Sequence, residues 1–195
     1  MKQSEAMMAA SIHALAPAGV EHALLGLLRA RPMHAYEMHQ QLVQAEALGL
    51  VWRLKQGHLY ALLARLESAG LIAATTEARG TRPPRRMLAL TPAGEAAFAA
   101  WLAAPVAHGR DFRLEFLAKL YFATREGPAV VRALVDRQRA ACEGWLAELR
   151  AQARAVEAER PYDALVLEFR AGQMEAILPW LARCEAVLAK PPAES

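Results

Sequence analysis

The stretch from Leu54 to Leu90 constrains the fold of this chain more than any other. Four of its leucines recur at the i, i+3, i+4 and i+7 spacing that places apolar side chains on one stripe of a helix, facing a core. These are Leu59, Leu62, Leu63 and Leu66. The opposite face carries small and polar residues, and Gly70 follows the last turn, where a residue that tolerates positive φ is favoured. An extended run then begins at Leu71 and returns at Met87, so the stretch predicts a helix followed by a β-hairpin.

The tip of that predicted hairpin, residues 79–86, is rich in arginine and contains no acidic residue. Its arginines are Arg79, Arg82, Arg85 and Arg86. A helix with a small, polar outer face followed by a basic hairpin is the pattern of a winged helix-turn-helix, in which the helix N-terminus reads base edges and the wing holds phosphates. The alternative is an exposed charged loop that protects a sheet edge from aggregation. Four arginines without an acid favour nucleic-acid binding.

The excess positive charge of the chain lies in the same half. Residues 20–104 contain nine Lys and Arg against six Asp and Glu, a net charge of +3, whereas residues 105–195 contain thirteen of each. A basic patch confined to one domain is the electrostatic pattern of a nucleic-acid-binding protein. With 195 residues the chain can form one large domain or two small ones, and its abundance of alanine and leucine favours a mostly helical fold.

Apolar periodicity predicts two helices ahead of this stretch. The first covers Val20–Arg31 and is ended by Pro32, since the residue before a proline avoids the α region. The second covers His34–Ala45. Residues 1–19 precede them as a flexible N-terminal extension to which the sequence assigns no role.

After the hairpin, Thr91 can accept a hydrogen bond from a free N–H at a helix start, and Pro92 suits the first helical position. Proline, glycine and the loss of periodicity over residues 105–109 then mark a domain boundary. The predicted winged helix-turn-helix domain is therefore residues 20–104, and a helical dimerisation domain is predicted over residues 110–190.

The second domain contains the longest predicted helix, which begins at Gly127-Pro128 and reaches roughly Arg160. Its apolar positions alternate spacings of four and three, a heptad seam that requires a partner. A last helix begins at Pro161, and it is expected to share this seam with a second subunit. Pro179 is expected to kink or interrupt that helix. The apolar side of the last helix carries Leu165, Phe169, Ala176, Trp180 and Val187. The dimer interface is predicted at Val131, Val135, Cys142, Trp145, Leu149 and Val156.

No pattern of catalytic chemistry stands out. The chain has no Ser-His-Asp order, no glycine-rich phosphate loop and no Cys/His cluster at metal spacing, so neither enzymatic activity nor a metal or other cofactor is expected. Cys142 and Cys184 lie within helical patterns and are expected to be buried and reduced. No uninterrupted apolar run is long enough to cross a membrane, and the N-terminus is a poor export signal, which predicts a cytoplasmic protein.

Four segments of the chain, taken in order, resemble the PadR family of bacterial transcriptional regulators. They are ALLGLL at Ala23–Leu28, PMHAYEM at Pro32–Met38, GHLYALLARLESAGLI at Gly57–Ile72 and RPPRRMLALTPAGEAAFAAW at Arg82–Trp101. With the helical region from Phe112 onward, the resemblance covers about nine tenths of the chain, and the long C-terminal part is similar to the larger size class of that family. It implies a mostly α fold with an N-terminal winged helix and a C-terminal antiparallel, coiled-coil-like helical dimerisation domain.

The resemblance also implies a homodimer on the double-stranded DNA of a pseudo-palindromic operator. Members of the family mostly act as repressors, and several release DNA when they bind small, often aromatic compounds. The expected function is therefore a ligand-responsive repressor, while a transcriptional activator of the same family and a winged-helix adaptor that binds a partner protein without DNA remain alternatives. This chain departs from the usual pattern at Ala35, His58 and Ala61, at or near the DNA face, so the operator sequence does not carry over.

Two sets of candidate site residues follow. The resemblance implies an effector pocket for a small planar aromatic compound, and we place it at Phe98, Trp101 and Phe112, because Trp101 precedes the domain boundary and pockets form preferentially at domain interfaces. The alternative is that Trp101 only packs in a core with its two neighbours. The predicted DNA contacts are Tyr36, Lys55, Gln56, His58, Tyr60, Arg65, Arg79, Arg82, Arg85 and Arg86.

Overall fold

The computed structural model describes residues 19–44, 47–52, 54–79, 82–156 and 160–189, with the side chains of residues 47, 77–79 and 82–85 excepted. Its elements are α1 (Val20–Ala30), α2 (Ala35–Val43), α3 (Gln56–Ser68), β1 (Ile72–Arg79), β2 (Arg82–Leu90), α4 (Pro92–Ala103), α5 (Glu115–Glu126), α6 (Pro128–Val156) and α7 (Pro161–Leu188). Short 3-10 turns span Ala47–Leu50 and Gly109–Arg113. The predicted fold class, mostly α with an N-terminal winged helix-turn-helix and long C-terminal helices, is confirmed. The predicted extension 1–19 lies outside the described residues except for Gly19.

The first helices end close to their proline and glycine signals. α1 stops at Ala30 because Arg31, which precedes Pro32, has extended backbone. α3 buries its predicted stripe of four leucines and is followed by Gly70, whose φ of +70° lies in the left-handed region that favours glycine. α2 begins one residue later than predicted, since His34 is its extended N-cap residue.

The hairpin that follows α3 is longer than predicted and has an additional partner. β1 and β2 pair antiparallel with Ile72 opposite Leu90. Met33, between α1 and α2, exchanges two backbone hydrogen bonds of 3.0 Å with Leu88 on β2. The wing is therefore fastened to the start of the helix-turn-helix, an arrangement that the sequence pattern did not indicate.

The start of α4 closes the winged helix. The hydroxyl of Thr91 accepts a hydrogen bond from the Gly94 N–H at 3.1 Å and lies 2.7 Å from the Gly70 carbonyl oxygen, to which it donates. The predicted N-cap is thus confirmed, and it also ties α4 to the end of α3. Gly94 is required by a close approach, because a Cβ there would lie 2.0 Å from the carbonyl oxygen of Leu71.

The chain divides into two compact units. The first extends through Leu102 and includes Arg113–Tyr121, and the second consists of Ala103–Phe112 and the chain from Phe122 onward. α5 is therefore shared between the units, which the composition of the sequence did not indicate. The division into domains of residues 20–104 and 110–190 stays a prediction.

In the second unit, α6 and α7 form an antiparallel pair. Arg139 on α6 is 2.7 Å from Glu185, and Arg150 is 2.6 Å from Glu175, so the two helices run in opposite directions. Gln138 on α6 is fully buried and accepts a hydrogen bond of 2.8 Å from the N–H of Val106. α7 is one continuous helix, and Pro179 lies inside it without interrupting it.

The predicted seam on α6 packs inside this pair. Four of its residues are buried, namely Val131, Val135, Cys142 and Leu149, while Trp145 and Val156 are half-buried. α7, the predicted last helix, is nearly as long as α6 and packs along it. The predicted share of a second subunit in this seam stays a prediction. The residues that α7 buries are Ala164, Ala171, Met174, Leu181 and Cys184. Its predicted apolar side is instead exposed.

Candidate nucleic-acid interface

The outer face of α3 is open over its first turns. Gln56, His58 and Tyr60 are exposed, and no heavy atom lies within 4 Å of the position that a Cβ on Gly57 would take. Lys55, which precedes the helix, is exposed and provides no side-chain cap for its free N–H groups. An uncapped helix N-terminus presents backbone donors and a partial positive charge, a setting that suits a phosphate. This end of α3 therefore combines hydrogen-bonding side chains with an anion-binding backbone.

All the predicted DNA contacts whose side chains the structure describes reach the surface. Besides the residues at the start of α3, these are Tyr36, Arg65 and Arg86. The remaining three, Arg79, Arg82 and Arg85, belong to the paired strands of the wing, but their side chains lie outside the described part of the chain. The assignment of these residues to DNA stays a prediction.

Arg86 connects the wing to both helices of the helix-turn-helix. Its Nη2 donates hydrogen bonds to the two carboxylate oxygens of Glu67 on α3, at 2.7 and 2.8 Å. Its backbone oxygen is 2.9 Å from Nδ1 of His34, at the start of α2. The side chain of Arg86 nevertheless remains 63% exposed, so its guanidinium can meet a phosphate.

Arg65, on the same helix, pairs with a buried acid. Its Nη2 lies 3.2 Å from Oε1 of Glu21 on α1, whose side chain is 5% exposed. Burial raises the pKa of the Glu21 carboxyl, and the positive charges of Arg65 and His58 oppose that rise. No sequence pattern marks Glu21 as a functional residue, because a single acid in the first turn of a helix is a common and uninformative signal.

Trp101, the centre of the predicted effector pocket, is packed and hydrogen-bonded within the first unit. Its indole N–H donates to Glu115 at 2.9 Å, and its ring stacks on His22 with centroids 5.2 Å apart. The ammonium of the buried Lys119 lies 5.3 Å from the ring centroid. Burial lowers the pKa of His22 to about 4, so that imidazole is neutral at ordinary pH.

The other two members of that predicted pocket, Phe98 and Phe112, are buried and belong to different units. The contacts of Trp101 favour the alternative in which it belongs to a core, although the pocket itself stays a prediction. A cavity with a different tryptophan occurs in the second unit. It has a volume of about 570 Å³ and is lined by Arg110, Trp145, Gln152, Arg170, Gln173 and Met174, among others.

The exposed side of α7 forms an apolar stripe. Leu165 is 64% exposed, Phe169 68% and Val187 59%, and Trp180 shares the same side. These positions follow one another at intervals of four and seven residues, so they lie on one face of the helix. We call Leu165, Phe169, Ala176, Trp180 and Val187 the α7 stripe.

Other chemistry has little support in the described residues. Within them, no group of three or more His, Cys, Asp or Glu side chains could hold a metal ion. Cys142 and Cys184 are both buried, and burial raises the pKa of each thiol, which disfavours the reactive thiolate. No helix in this part of the chain has the length and apolar character to cross a membrane.

Two protein families match the chain one after the other. Residues 24–100 match the "Transcriptional regulator PadR-like family", and residues 112–189 match "Virulence activator alpha C-term". Among curated proteins, the negative transcriptional regulator PadR of Bacillus subtilis (strain 168) is 30% identical over 103 residues, which are 53% of this chain and 56% of the relative. The chain therefore spans little more than half the length of that relative.

Solved structures of similar proteins include Bacillus subtilis PadR in complex with operator DNA, which is 24% identical, with a TM-score of 0.43 and coverage of 87% of this chain and 98% of that one. The PadR-like transcriptional regulator BC1756 from Bacillus cereus is 21% identical, with a TM-score of 0.40 and coverage of 89% and 97%. Residues 24–100, which contain the winged helix, therefore belong to the PadR-like family of transcriptional regulators, and residues 112–189 follow them as a long helical C-terminal region of the second family.

Proposed function

We propose that this protein is a sequence-specific DNA-binding transcriptional regulator that acts as a homodimer on a pseudo-palindromic operator. The observation that carries the proposal is the open N-terminal end of α3. The exposed Arg86 of the wing adds a positive charge at the other end of the same helix, where it pairs with Glu67. An α-helix enters the major groove of B-DNA, where a glutamine such as Gln56 can pair with the edge of adenine. His58 and Tyr60 offer further hydrogen-bonding groups on the same turn of the helix.

The charge of the chain supports a polyanionic partner. The net charge of +3 lies in residues 20–104, and the wing supplies four of the nine basic residues there. Guanidinium groups on a wing fix the register of the protein on phosphates, while base edges are read from the helix. The uncapped start of α3 adds backbone donors for one more phosphate.

Binding of the full-length protein to duplexes from its own upstream region, followed by fluorescence anisotropy across a salt series, tests the proposal. We expect one segment to bind more tightly than a shuffled duplex of equal length, and the logarithm of the affinity to fall linearly with the logarithm of the salt concentration. A winged-helix adaptor would bind neither duplex at any salt concentration. That result would reject the DNA function in favour of the adaptor.

The α7 stripe supports the homodimer. A monomeric protein rarely leaves a contiguous apolar surface of this kind in water. A second copy carries the same stripe, and two-fold symmetry brings like surfaces together. The proposed interface therefore moves from the seam on α6, which α7 covers within one chain, to the opposite side of α7. A dimer presents two α3 helices to half-sites about 34 Å apart, one turn of the DNA.

The finer proposal is a repressor that responds to a small ligand. The cavity beside Trp145 supports it, because an indole can stack on a planar compound and Arg110 and Arg170 can bind an anionic group on it. A ligand bound there releases DNA only if it prefers the DNA-free conformation. A reporter driven by the bound upstream region tests the direction of regulation: deletion of the regulator raises expression if it represses, and lowers expression if it activates.

A further inference from the structure

Glu21 is an acidic side chain whose burial the proposed DNA contacts do not explain. It lies in the first turn of α1, is 4% exposed, and neither of its carboxylate oxygens has a hydrogen-bond partner among the described residues. The helix dipole favours an acid at this position, but that interaction is equally available at the surface. Burying a carboxylate without hydrogen bonds is costly, so the dipole does not account for the placement.

The carboxylate of Glu21 lies against one edge of the recognition helix α3. Its Oε1 is 3.2 Å from Nη2 of Arg65, and the charge of His58 also acts on the carboxyl. His58 and Arg65 are seven residues apart, about two turns, and therefore share one face of α3. This single buried acid thus contacts the edge of α3 that carries one candidate for base reading and one candidate for phosphate binding.

The pairing leaves much of Arg65 available to DNA. Its side chain is 49% exposed, and the guanidinium, which has five N–H donors in all, comes within ion-pair distance of the carboxylate through Nη2. Glu21 itself is too deeply buried to meet DNA. An acid that holds one end of a guanidinium restricts its rotamers, so less side-chain entropy is lost when the other end binds a phosphate.

We propose that Glu21 is a positioning residue that determines operator specificity by orienting Arg65, and with it one edge of α3, toward DNA. The inference rests on the proposed DNA-binding function. On the operator, the oriented Arg65 meets its phosphate without a further ordering cost. On other duplexes the phosphate lies out of register, Arg65 is not free to follow it, and the negative charge of Glu21 opposes loose contacts. Glu21 therefore raises the ratio of operator to non-specific affinity.

The test compares full-length wild type and Glu21→Gln on the operator segment and on a shuffled duplex. We expect the affinity ratio to fall about tenfold, which corresponds to the loss of one charge-assisted contact. The salt slope on the operator is expected to fall by about one unit, because Arg65 no longer holds its phosphate. Glu95→Gln is the matched control: Glu95 pairs with Arg29 at 3.1 Å, so the charge change is identical, and the ratio should stay at the wild-type value.

A double-mutant cycle identifies the route of the effect. If Glu21 acts through Arg65, then Glu21→Gln causes no further change in the affinity ratio in an Arg65→Gln background. Should Glu21→Gln fail to fold, Glu21→Asp takes its place in the test. This variant keeps the charge but shortens the side chain by one methylene, so we expect a smaller fall in the ratio of operator to non-specific affinity.

Two results would overturn the inference. One is a wild-type affinity ratio in the folded Glu21 variants. The other is an equal loss of affinity for both duplexes together with a lower melting temperature, which would leave Glu21 as a packing residue. Either result requires that the wild type binds the operator, so failure of the inference is distinguishable from failure of the DNA function, in which the wild type binds neither duplex.

Discussion

Arg86 on β2 donates two hydrogen bonds, of 2.7 and 2.8 Å, to the carboxylate of Glu67 on α3. The pair joins the wing to α3. It also means that the Arg86 guanidinium, which the proposed function assigns to a DNA phosphate, is bound to a carboxylate in the free protein. Both side chains are partly exposed, at 63% and 37%, so the pair contributes at most about 1 kcal/mol to stability. Exchange of the carboxylate for a phosphate is therefore accessible when DNA binds.

Glu67→Gln should strengthen non-specific DNA binding and leave the stability of the protein within about 1 kcal/mol of the wild type. The substitution removes a negative charge beside the DNA face and releases Arg86. Arg86→Ala should weaken binding to every duplex and reduce the salt slope by about one unit. Anisotropy titrations on a shuffled duplex measure both effects. Weaker non-specific binding by Glu67→Gln would show that Glu67 positions Arg86 and does not compete with phosphate for it.

Arg82→Ala combined with Arg85→Ala should weaken binding to all sequences and reduce the salt slope by about two units, one for each lost phosphate contact. His58→Ala should instead change the preferred sequence, because a side chain at the start of α3 reads base edges. Selection of bound duplexes from a randomised pool distinguishes the two classes of variant. An unchanged salt slope in the double variant would remove these arginines from the interface.

Glu21→Gln should raise the free energy of unfolding at neutral pH. Burial raises the pKa of the Glu21 carboxyl, so the folded protein binds that proton more tightly than the unfolded chain. The tighter proton binding stabilises the folded wild type. This stabilisation is complete below the ordinary pKa of glutamate and is lost as the pH rises through the raised pKa. The advantage of the variant should thus shrink as the pH falls toward about 4.3. Urea unfolding across this range measures it, and a less stable variant at neutral pH would mean that pairing with Arg65 outweighs burial.

Leu165→Glu combined with Phe169→Glu should give folded monomers with reduced affinity for the operator. Both residues are exposed in the single chain, so the charges disturb only an interface between copies. Val135→Glu and Leu149→Glu should instead destabilise the α6–α7 pair by several kcal/mol, because they place charges among buried side chains. Sedimentation velocity together with circular dichroism separates the two outcomes. A wild type that is monomeric at micromolar concentration would contradict the dimer.

Planar aromatic anions should quench the tryptophan fluorescence of the wild type and of Trp101→Phe. The part of the quenching that is due to Trp145 should be missing in Trp145→Phe. Trp145 lines the cavity of about 570 Å³, whereas Trp101 is packed on His22 and hydrogen-bonded to Glu115. The emission of Trp52 and Trp180 is common to all three proteins, so the difference between variants is the measured quantity. Loss of quenching in Trp101→Phe alone would return the effector site to Trp101.

The sequence by itself determined the elements whose causes lie within a few residues of one another. The leucine stripe of α3, the end of α1 before Pro32, the left-handed Gly70 and the cap at Thr91 are all local effects of periodicity, backbone restriction and capping. The same local signals placed the basic hairpin after the helix. Together they were sufficient to predict a winged helix-turn-helix.

Only the tertiary structure decided which residues far apart in the chain meet. Three contacts join residues whose spacing along the chain has no periodic pattern. They are the β-bridge of Met33 to Leu88, the ion pair of Glu21 with Arg65 and the ion pair of Glu67 with Arg86. The α7 stripe shows the same limit. Periodicity indicates that a helix has an apolar face, but whether the face is covered within the chain or left for a second copy depends on how the neighbouring helix packs, because burial is a property of the assembled fold.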